Sequence, residues 1–369
     1  MKIGFDLRPF LSGETGVGVY MKNLLFAMAK IERNDKFFLF SSSFKERFPK
    51  EKIPKFKNMK FRDMRIPVSM LNFFWFRLSF PPLGSFFGEK LDITHSPGPM
   101  ILPGGKKKII TVHDLSFIDE PDLVMPEAVK YYSGKIGRSI EKADAVIAVS
   151  EFTRSRIGEV FGKNAYDKTT VIYHGSGLEG MKEKKTSFKI PEKYFLFTGT
   201  IEPRKNLTTF IKAFSLSKKN LHGVKIVLAG REGTHTAEVK DLISKLDLDN
   251  EIIITGYLSG EELKYLYSRA IALVFPSRYE GFGLPILEAA ASGVPSIVSD
   301  LEVFREIYKD YPVYFDKDDP KELSDTLIRF CKDNELQKRK KKKAIETVKD
   351  LVWEKAAEQT LKLYNKINK

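Results

Sequence analysis

Two stretches of this chain combine residue types and spacings that could do chemistry. Glu280-Gly-Phe-Gly-Leu-Pro-Ile-Leu-Glu288 sets two carboxylates eight positions apart around two glycines and a proline. Thr198-Gly-Thr-Ile-Glu-Pro-Arg-Lys-Asn206 ends in two adjacent cations followed by an asparagine. A carboxylate can accept from two neighbouring hydroxyls at once, as a ribose or a hexose offers them. Cations and unpaired backbone N–H groups hold phosphate. A site with both suits a sugar attached to a diphosphate.

Each stretch needs a strand before it and a helix after it. Pro285 fits the first turn of a helix, where its missing N–H costs nothing. Glu280 then lies in the preceding loop and Glu288 in the first turn. Gly281 and Gly283, on either side of Phe282, let backbone approach a ligand, and from Leu284 the helix start presents N–H groups and positive dipole. Taken alone, the two acids could also be a loop glutamate and one that stabilises its own helix dipole. In the other stretch Asn206 is a suitable N-cap for a helix over Leu207–Ser215. That puts Arg204 and Lys205 just before a helix N-terminus, where both can meet one diphosphate.

The first half of the chain offers weaker signals. Gly13-Glu-Thr-Gly-Val-Gly18 follows a strand and opens a helix. Six residues separate Asp6 from Gly13, too many for a tight dinucleotide turn, and the second strand ends in Ser41-Ser-Ser43 without an acid for a ribose. A dehydrogenase fits poorly; a loop whose N–H groups face a ligand fits better. His113-Asp114 ends another strand, Ser150 caps a helix over Glu151–Phe161, and His174-Gly175 ends a further strand. His113 could donate to a sugar hydroxyl or move a proton, or make only a structural hydrogen bond. The five histidines show no metal-ligand spacing.

Short apolar runs alternate with amphipathic ones along the whole chain. The spacing predicts strands at Lys2–Asp6, Phe37–Ser41, Leu91–His95, Lys108–His113, Ala145–Ser150 and Thr170–His174. A second series follows at Tyr194–Thr198, Lys225–Ala229, Glu251–Thr255, Ala272–Phe275, Ser296–Val298 and Val313–Phe315. Helices are expected over Val17–Lys30, Glu127–Lys142 and Glu151–Phe161, and from near Asn206, His235, Gly260, Pro285 and Pro320. Such alternation builds parallel sheets covered on both faces. The charged stretch Lys182–Thr186 divides two series, so the fold class is α/β with two doubly wound, Rossmann-like domains facing a central cleft. The expected boundaries are residues 1–180 and 187–350, with a last helix over 351–369.

Of the formal net charge of +14, residues 1–186 carry +10. Lys45 to Arg65 holds nine basic residues against three acidic ones. Such a face could meet an anionic membrane, a phosphorylated substrate, or only solvent. The basic run Lys338–Lys343 has no aromatic stacking platform, so it reads as a solvated helix face and nucleic acid is not an expected partner. Met70–Phe87 is the most aromatic segment. It is either buried in the first domain or a patch that dips into a membrane interface or grips a lipid-linked acceptor. A lone cysteine, Cys331, fits a reducing cytoplasm, and no apolar run approaches the roughly 20 residues of a membrane span.

On Glu280–Glu288, Gly199–Asn206, Gly13–Gly18, Thr111-Val-His-Asp114 and Val149-Ser-Glu-Phe-Thr153, the chain resembles a family-four retaining glycosyltransferase of the GT-B fold over nearly its whole length. It is most similar to the subgroup that builds bacterial polysaccharide and lipopolysaccharide, often as mannosyltransferases. The resemblance implies catalytic roles for His113, Glu280, Arg204 and Lys205. It implies donor contacts at Gly16, Gly18, Ser150, Thr200, Arg204, Lys205, Glu280, Gly281, Phe282, Gly283, Leu284 and Glu288, with Glu288 on the nucleotide ribose and Arg204 and Lys205 on the diphosphate. Many members carry Arg where this chain has Thr200, and Arg204 is the residue available to replace it. The implied activity is metal-independent transfer of a hexose, GDP-mannose being the first donor to test, to a saccharide or lipid-linked acceptor, with no cofactor, in the cytoplasm or on the inner face of its membrane. The last helix, Trp353–Lys366, is expected to return to the first domain. A GT-B nucleotide-sugar epimerase and a non-catalytic binder of nucleotide sugar or anionic lipid are the alternatives.

Overall fold

The computed structural model describes residues 1–11, 16–31, 34–48, 56–178 and 180–369, with the side chain of Phe10 outside the described set. The chain divides into two units. One comprises Met1–Leu115, Glu127–Gly175 and Val352–Lys369; the other comprises Ser116–Pro126 and Ser176–Leu351.

The first unit carries β1 (Lys2–Asp6), β2 (Lys36–Ser42), β3 (Met59–Met64), β4 (Ile93–Ser96), β5 (Lys107–Val112), β6 (Ala145–Ala148) and β7 (Thr169–Val171). They form one sheet in the order β3-β2-β1-β4-β5-β6-β7, with every pairing parallel. The second unit carries β8 (Lys193–Thr198), β9 (Val224–Ala229), β10 (Ile252–Gly256), β11 (Ala272–Phe275), β12 (Ser296–Ser299) and β13 (Val313–Phe315). These are also all parallel, in the order β10-β9-β8-β11-β12-β13. Central strands such as Tyr194–Thr198 and Ala272–Phe275 are buried along their length because helices cover both sheet faces. The α/β, doubly wound class expected of the chain is therefore the one observed, twice.

In each sheet the winding reverses once, between β1 and β4 and between β8 and β11. The loops at the carboxyl ends of such a pair diverge to opposite faces and leave a crevice that ligands use. Both chemistry-bearing stretches of the second unit leave strands at its reversal, β8 and β11.

Three expectations need correction. The segment read only as basic contains β3, whose alternation Met-Lys-Phe-Arg-Asp-Met half-buries one face at the sheet edge while charge masks the pattern. The single helix expected over Glu127–Lys142 is two, Pro126–Ser133 and Ile136–Lys142, with Gly134 between them. Met70–Phe87 is buried along one face only. Its helix Val68–Phe73 and π-helical turn Phe74–Leu78 bury Leu71 and Trp75 against Phe38, Phe40, Leu83 and Leu91. The other face leaves Met70, Phe73, Phe74 and Leu78 exposed, with Phe80 just beyond.

The last helix, Trp353–Ile367, belongs to the first unit. Its Trp353, Ala356, Ala357, Leu361 and Tyr364 share a core with Tyr20, Leu24, Ala27 and Met28 of the helix Gly16–Ile31. Gly175 permits this closeness, since a Cβ there would stand 2.3 Å from the Trp353 nitrogen. Among the described residues no helix is long and apolar enough to cross a membrane.

Candidate functional site

The site in the second unit is assembled from two turns. After β8 the chain passes through Gly199, at φ +135°, into the 3-10 turn Pro203–Lys205. After β11 it runs from Pro276 to Gly283 and enters the helix Leu284–Ala291. The amide of Arg278 donates to the carbonyl of Arg204 at 2.8 Å, which joins the two turns directly. Gly230, after β9, supports the first turn from below: a Cβ there would lie 1.9 Å from the Gly199 carbonyl oxygen. Gly283 adopts φ +86° and would drive a Cβ to 2.7 Å from Phe304, so the second turn also needs glycine.

This framework brings the acid and the cations together. Lys205 Nζ donates to Glu280 Oε1 at 2.5 Å, and Arg204 Nη1 stands 3.2 Å from the same oxygen. Arg204 Nε also reaches Glu202 at 3.2 Å. Lys205 and Glu280 are both buried, with the ammonium 4.8 Å from the centre of the Phe275 ring. Burial and the neighbouring Arg204 push the Lys205 ammonium below its ordinary value, against the pull of Glu280. Burial alone would raise the Glu280 carboxyl, but Lys205 and Arg204 outweigh it and hold the group below the usual carboxylate range. Two basic side chains thus meet on one carboxylate oxygen. An incoming polyanion would find cations already oriented and only partly neutralised.

Two details differ from the sequence reading. Asn206 sits at the helix start but in left-handed backbone, φ 54°, and its side chain caps no helical N–H. Its Oδ1 accepts from the Thr209 hydroxyl instead, and its Nδ2 donates to the Lys317 carbonyl at 2.9 Å. Asparagine tolerates that backbone region better than most residues, so the position serves the turn. Glu288 falls in the second helical turn, because the helix opens at Leu284. It is half-buried, and its Oε2 accepts from the Tyr267 hydroxyl at 3.1 Å. Tyr267 in turn lies 2.6 Å from the Thr198 hydroxyl. Nothing in the pattern marks Thr198 or Tyr267 as more than core residues, and both are buried.

The remaining candidates of this unit line the same turns. Thr200 is half-buried, with its methyl beside Gly233. Gly281 is buried, and Leu284 is half-buried at the helix start. The Phe282 side chain turns inward toward Tyr308, ring centres 6.2 Å apart, so its backbone is what borders the turn.

In the first unit, Gly13 to Thr15 lie outside the described residues. Gly16 opens its helix exposed and Gly18 is buried in it. His113, just after β5, is half-buried, and its Nε2 donates to the Pro97 carbonyl at 2.8 Å. A carbonyl only accepts, so that proton sits on Nε2 and leaves Nδ1 as the acceptor of the neutral ring. Burial holds His113 below the ordinary histidine range, against Pro97 and Asp114. Tyr20 meets His113 edge-on at 4.9 Å, and the Tyr20 hydroxyl lies 2.9 Å from Thr111, which bonds His95 at 2.8 Å. Ser150 is fully buried; its hydroxyl accepts from the Thr153 amide and donates to the Thr153 hydroxyl, both at 3.0 Å. Among the described residues no three His, Cys, Asp or Glu side chains gather where they could hold a metal ion.

Comparison with known proteins gives this geometry a setting. Residues 181–369 match the family described as glycosyl transferases group 1, and residues 15–179 match glycosyltransferase family 4. The O-antigen chain mannosyltransferase B of Escherichia coli is 26% identical over 99% of both chains. The O-antigen chain mannosyltransferase RfbU of Salmonella typhimurium is 31% identical over 66% of this chain and 69% of its own. Among solved structures, a sucrose-phosphate synthase from Thermosynechococcus elongatus superposes with a TM-score of 0.80 over 100% of this chain and 99% of its own, at 18% identity. WaaG, a glycosyltransferase involved in lipopolysaccharide biosynthesis, gives 0.72 over 98% and 99%, at 14%. With both halves matched and the doubly wound architecture shared, the chain belongs to the group 1 glycosyltransferases and has the GT-B fold.

Proposed function

We propose that this glycosyltransferase moves a hexose from a nucleotide diphosphate sugar to a saccharide or lipid-linked acceptor in cell-surface polysaccharide synthesis, with retention of anomeric configuration and without a metal. GDP-mannose is the donor to test first, because the two relatives described above are O-antigen chain mannosyltransferases. The observation that carries the reading is the meeting of Arg204 and Lys205 on Glu280 at the reversal of the second sheet, in the loop that leads into the helix bearing Glu288.

The chemistry follows from charge. The bond between the anomeric carbon and the diphosphate oxygen breaks, and its electron pair leaves with the nucleotide diphosphate. Arg204, Lys205 and the N–H groups at Leu284 stabilise the charge that builds there, the part a divalent cation would otherwise take. The acceptor oxygen bonds the anomeric carbon from the face the diphosphate leaves, and its proton passes to the departing phosphate. Glu280 holds hydroxyls of the transferred sugar and Glu288 those of the ribose. In the first unit His113 presents Nδ1 as an acceptor for a sugar hydroxyl. The test is nucleotide release from GDP-mannose, UDP-glucose and UDP-N-acetylglucosamine in EDTA, with the product anomer read by NMR. GDP-mannose should turn over with retention; release from no donor, or release only on adding metal, overturns the respective part.

We further read the first unit as seated on the inner, anionic face of the cytoplasmic membrane. Supporting this, Met70, Phe73, Phe74, Leu78 and Phe80 form an exposed apolar ridge. Residues 64–88 contain Arg65 and Arg77 and no acid. Apolar side chains rimmed by cations suit the boundary between lipid headgroups and acyl chains.

A further inference from the structure

We infer that Tyr267 is a positioning residue, holding Glu288 ready for the hydroxyls of the donor ribose, and that Thr198 in turn holds Tyr267. The inference rests on the donor reading above and extends it to two residues that no chemical motif marks.

Tyr267 closes the helix Gly260–Tyr267 and is fully buried. Its hydroxyl has three oxygen neighbours: Thr198 Oγ1 at 2.6 Å, Glu288 Oε2 at 3.1 Å and the Pro285 carbonyl at 3.3 Å. A phenol has one proton to give. Carboxylate and carbonyl oxygens only accept, so the Tyr267 proton points to Glu288 and Pro285, and the Thr198 hydroxyl must donate to Tyr267. Burial, reinforced by Glu288, keeps the phenol protonated far above neutral pH, so the relay always runs in this direction. It runs from the last residue of β8, through the end of one helix, to the second turn of another.

The geometry has a functional consequence. A carboxylate ordered before binding spares the ligand the cost of selecting its rotamer. Tyr267 contributes to that order by donating to Oε2. Thr198 immediately precedes Gly199 and the turn that bears Arg204 and Lys205. One hydroxyl relay therefore sets the ribose acid and the diphosphate turn in a common frame, within a single unit.

Calorimetric titration of the full chain with GDP and with 2′-deoxy-GDP tests this; the corresponding uridine pair replaces it if UDP raises the melting temperature more than GDP. A hydrogen bond to a charged group predicts that the ribose form binds about tenfold tighter. Glu288→Gln should bring that ratio near one, and Tyr267→Phe should lower it to about threefold or less. Thr198→Val, which keeps the shape and removes the donor to Tyr267, should fall between wild type and Tyr267→Phe. A merely structural role would lower the melting temperature and weaken both ligands equally, leaving the ratio untouched. If Glu288→Gln collapses the ratio while both Tyr267→Phe and Thr198→Val keep it, the relay is wrong and the ribose role of Glu288 stands. If wild type shows no discrimination, or Glu288→Gln retains it, the ribose role falls and the relay with it. Should Tyr267→Phe not fold, Thr198→Val decides alone.

Discussion

Replacing Lys205 by methionine separates the structural from the chemical role of the buried ion pair. Both side chains are only 9% exposed. Removing one partner of a buried pair typically costs about 3–5 kcal/mol, because the other charge stays behind. Here Arg204 remains 3.2 Å from the stranded carboxylate and still partly compensates it, so a cost below that range, about 2–3 kcal/mol, is expected. For a unit of this size that is a fall in melting temperature of roughly 5–10 °C. Methionine keeps most of the lysine stem and removes the charge, ending one atom short of the ammonium. Glu280→Gln alone should cost a similar amount, since it strands Lys205. The double variant Lys205→Met/Glu280→Gln strands neither and should melt within a few degrees of wild type, a coupling that only a direct interaction produces. Transfer should behave differently. Losing one donor to a developing oxyanion is worth about 2.7–4 kcal/mol, or a factor of 10²–10³ in rate. The single Lys205→Met variant should lose that factor, and the double variant at least as much, since it also changes the acid that holds the sugar hydroxyls. Scanning calorimetry and donor turnover on the same preparations check both halves. Turnover within tenfold of wild type in either variant would refute the diphosphate role, and additive melting losses would refute the pair.

Acid should loosen the first unit. Burial, with His113 nearby, drives His95 down to about 3, and burial also lowers His174 and His113. A histidine whose folded pKa lies below the unfolded value of about 6.5 binds its proton better when unfolded, so stability is full above pH 6.5 and falls below it, for His95 as far as about pH 3. Each fully shifted histidine contributes a slope approaching 1.4 kcal/mol per pH unit. Urea midpoints at pH 7, 6 and 5 should decline, and His95→Gln should flatten the trend; equal midpoints at pH 7 and 5 count against it. On the apolar ridge, Phe73→Ser/Leu78→Ser/Phe80→Ser removes three side chains that are each more than half exposed. At about 1 kcal/mol gained per half-exposed side chain on insertion, binding to vesicles containing phosphatidylglycerol should weaken on the order of a hundredfold in flotation. Wild-type recovery that is equal with neutral vesicles, or unaffected by the triple change, sinks the membrane reading.

Period and punctuation made the fold readable. Runs such as Tyr194–Thr198 and Ala272–Phe275 are apolar throughout because both sheet faces are covered, and glycines and prolines mark the turns after them. β3 escaped because an edge strand needs only one apolar face, and its Lys, Arg and Asp resemble a solvated segment. Glu280, Arg204 and Lys205 were legible as residue types whose elements had to converge. Their mutual neutralisation was not, since it depends on the Arg278–Arg204 backbone bond across 74 residues. Tyr267 was invisible for a simpler reason: a tyrosine on the buried side of a helix has the same pattern whether its hydroxyl holds an acid or only a carbonyl.

The last helix gives synthesis an unusual order. Trp353, Ala356, Ala357, Leu361 and Tyr364 complete the core around the helix Gly16–Ile31, yet they leave the ribosome after everything between. Domains generally mature from the N-terminus during translation. Here the unit that begins first must wait with an uncovered apolar groove, while the unit made later can close its core ahead of it. A nascent chain halted near residue 350 would thus carry one finished half and one sticky, unfinished half, and the unfinished one is where a chaperone would bind.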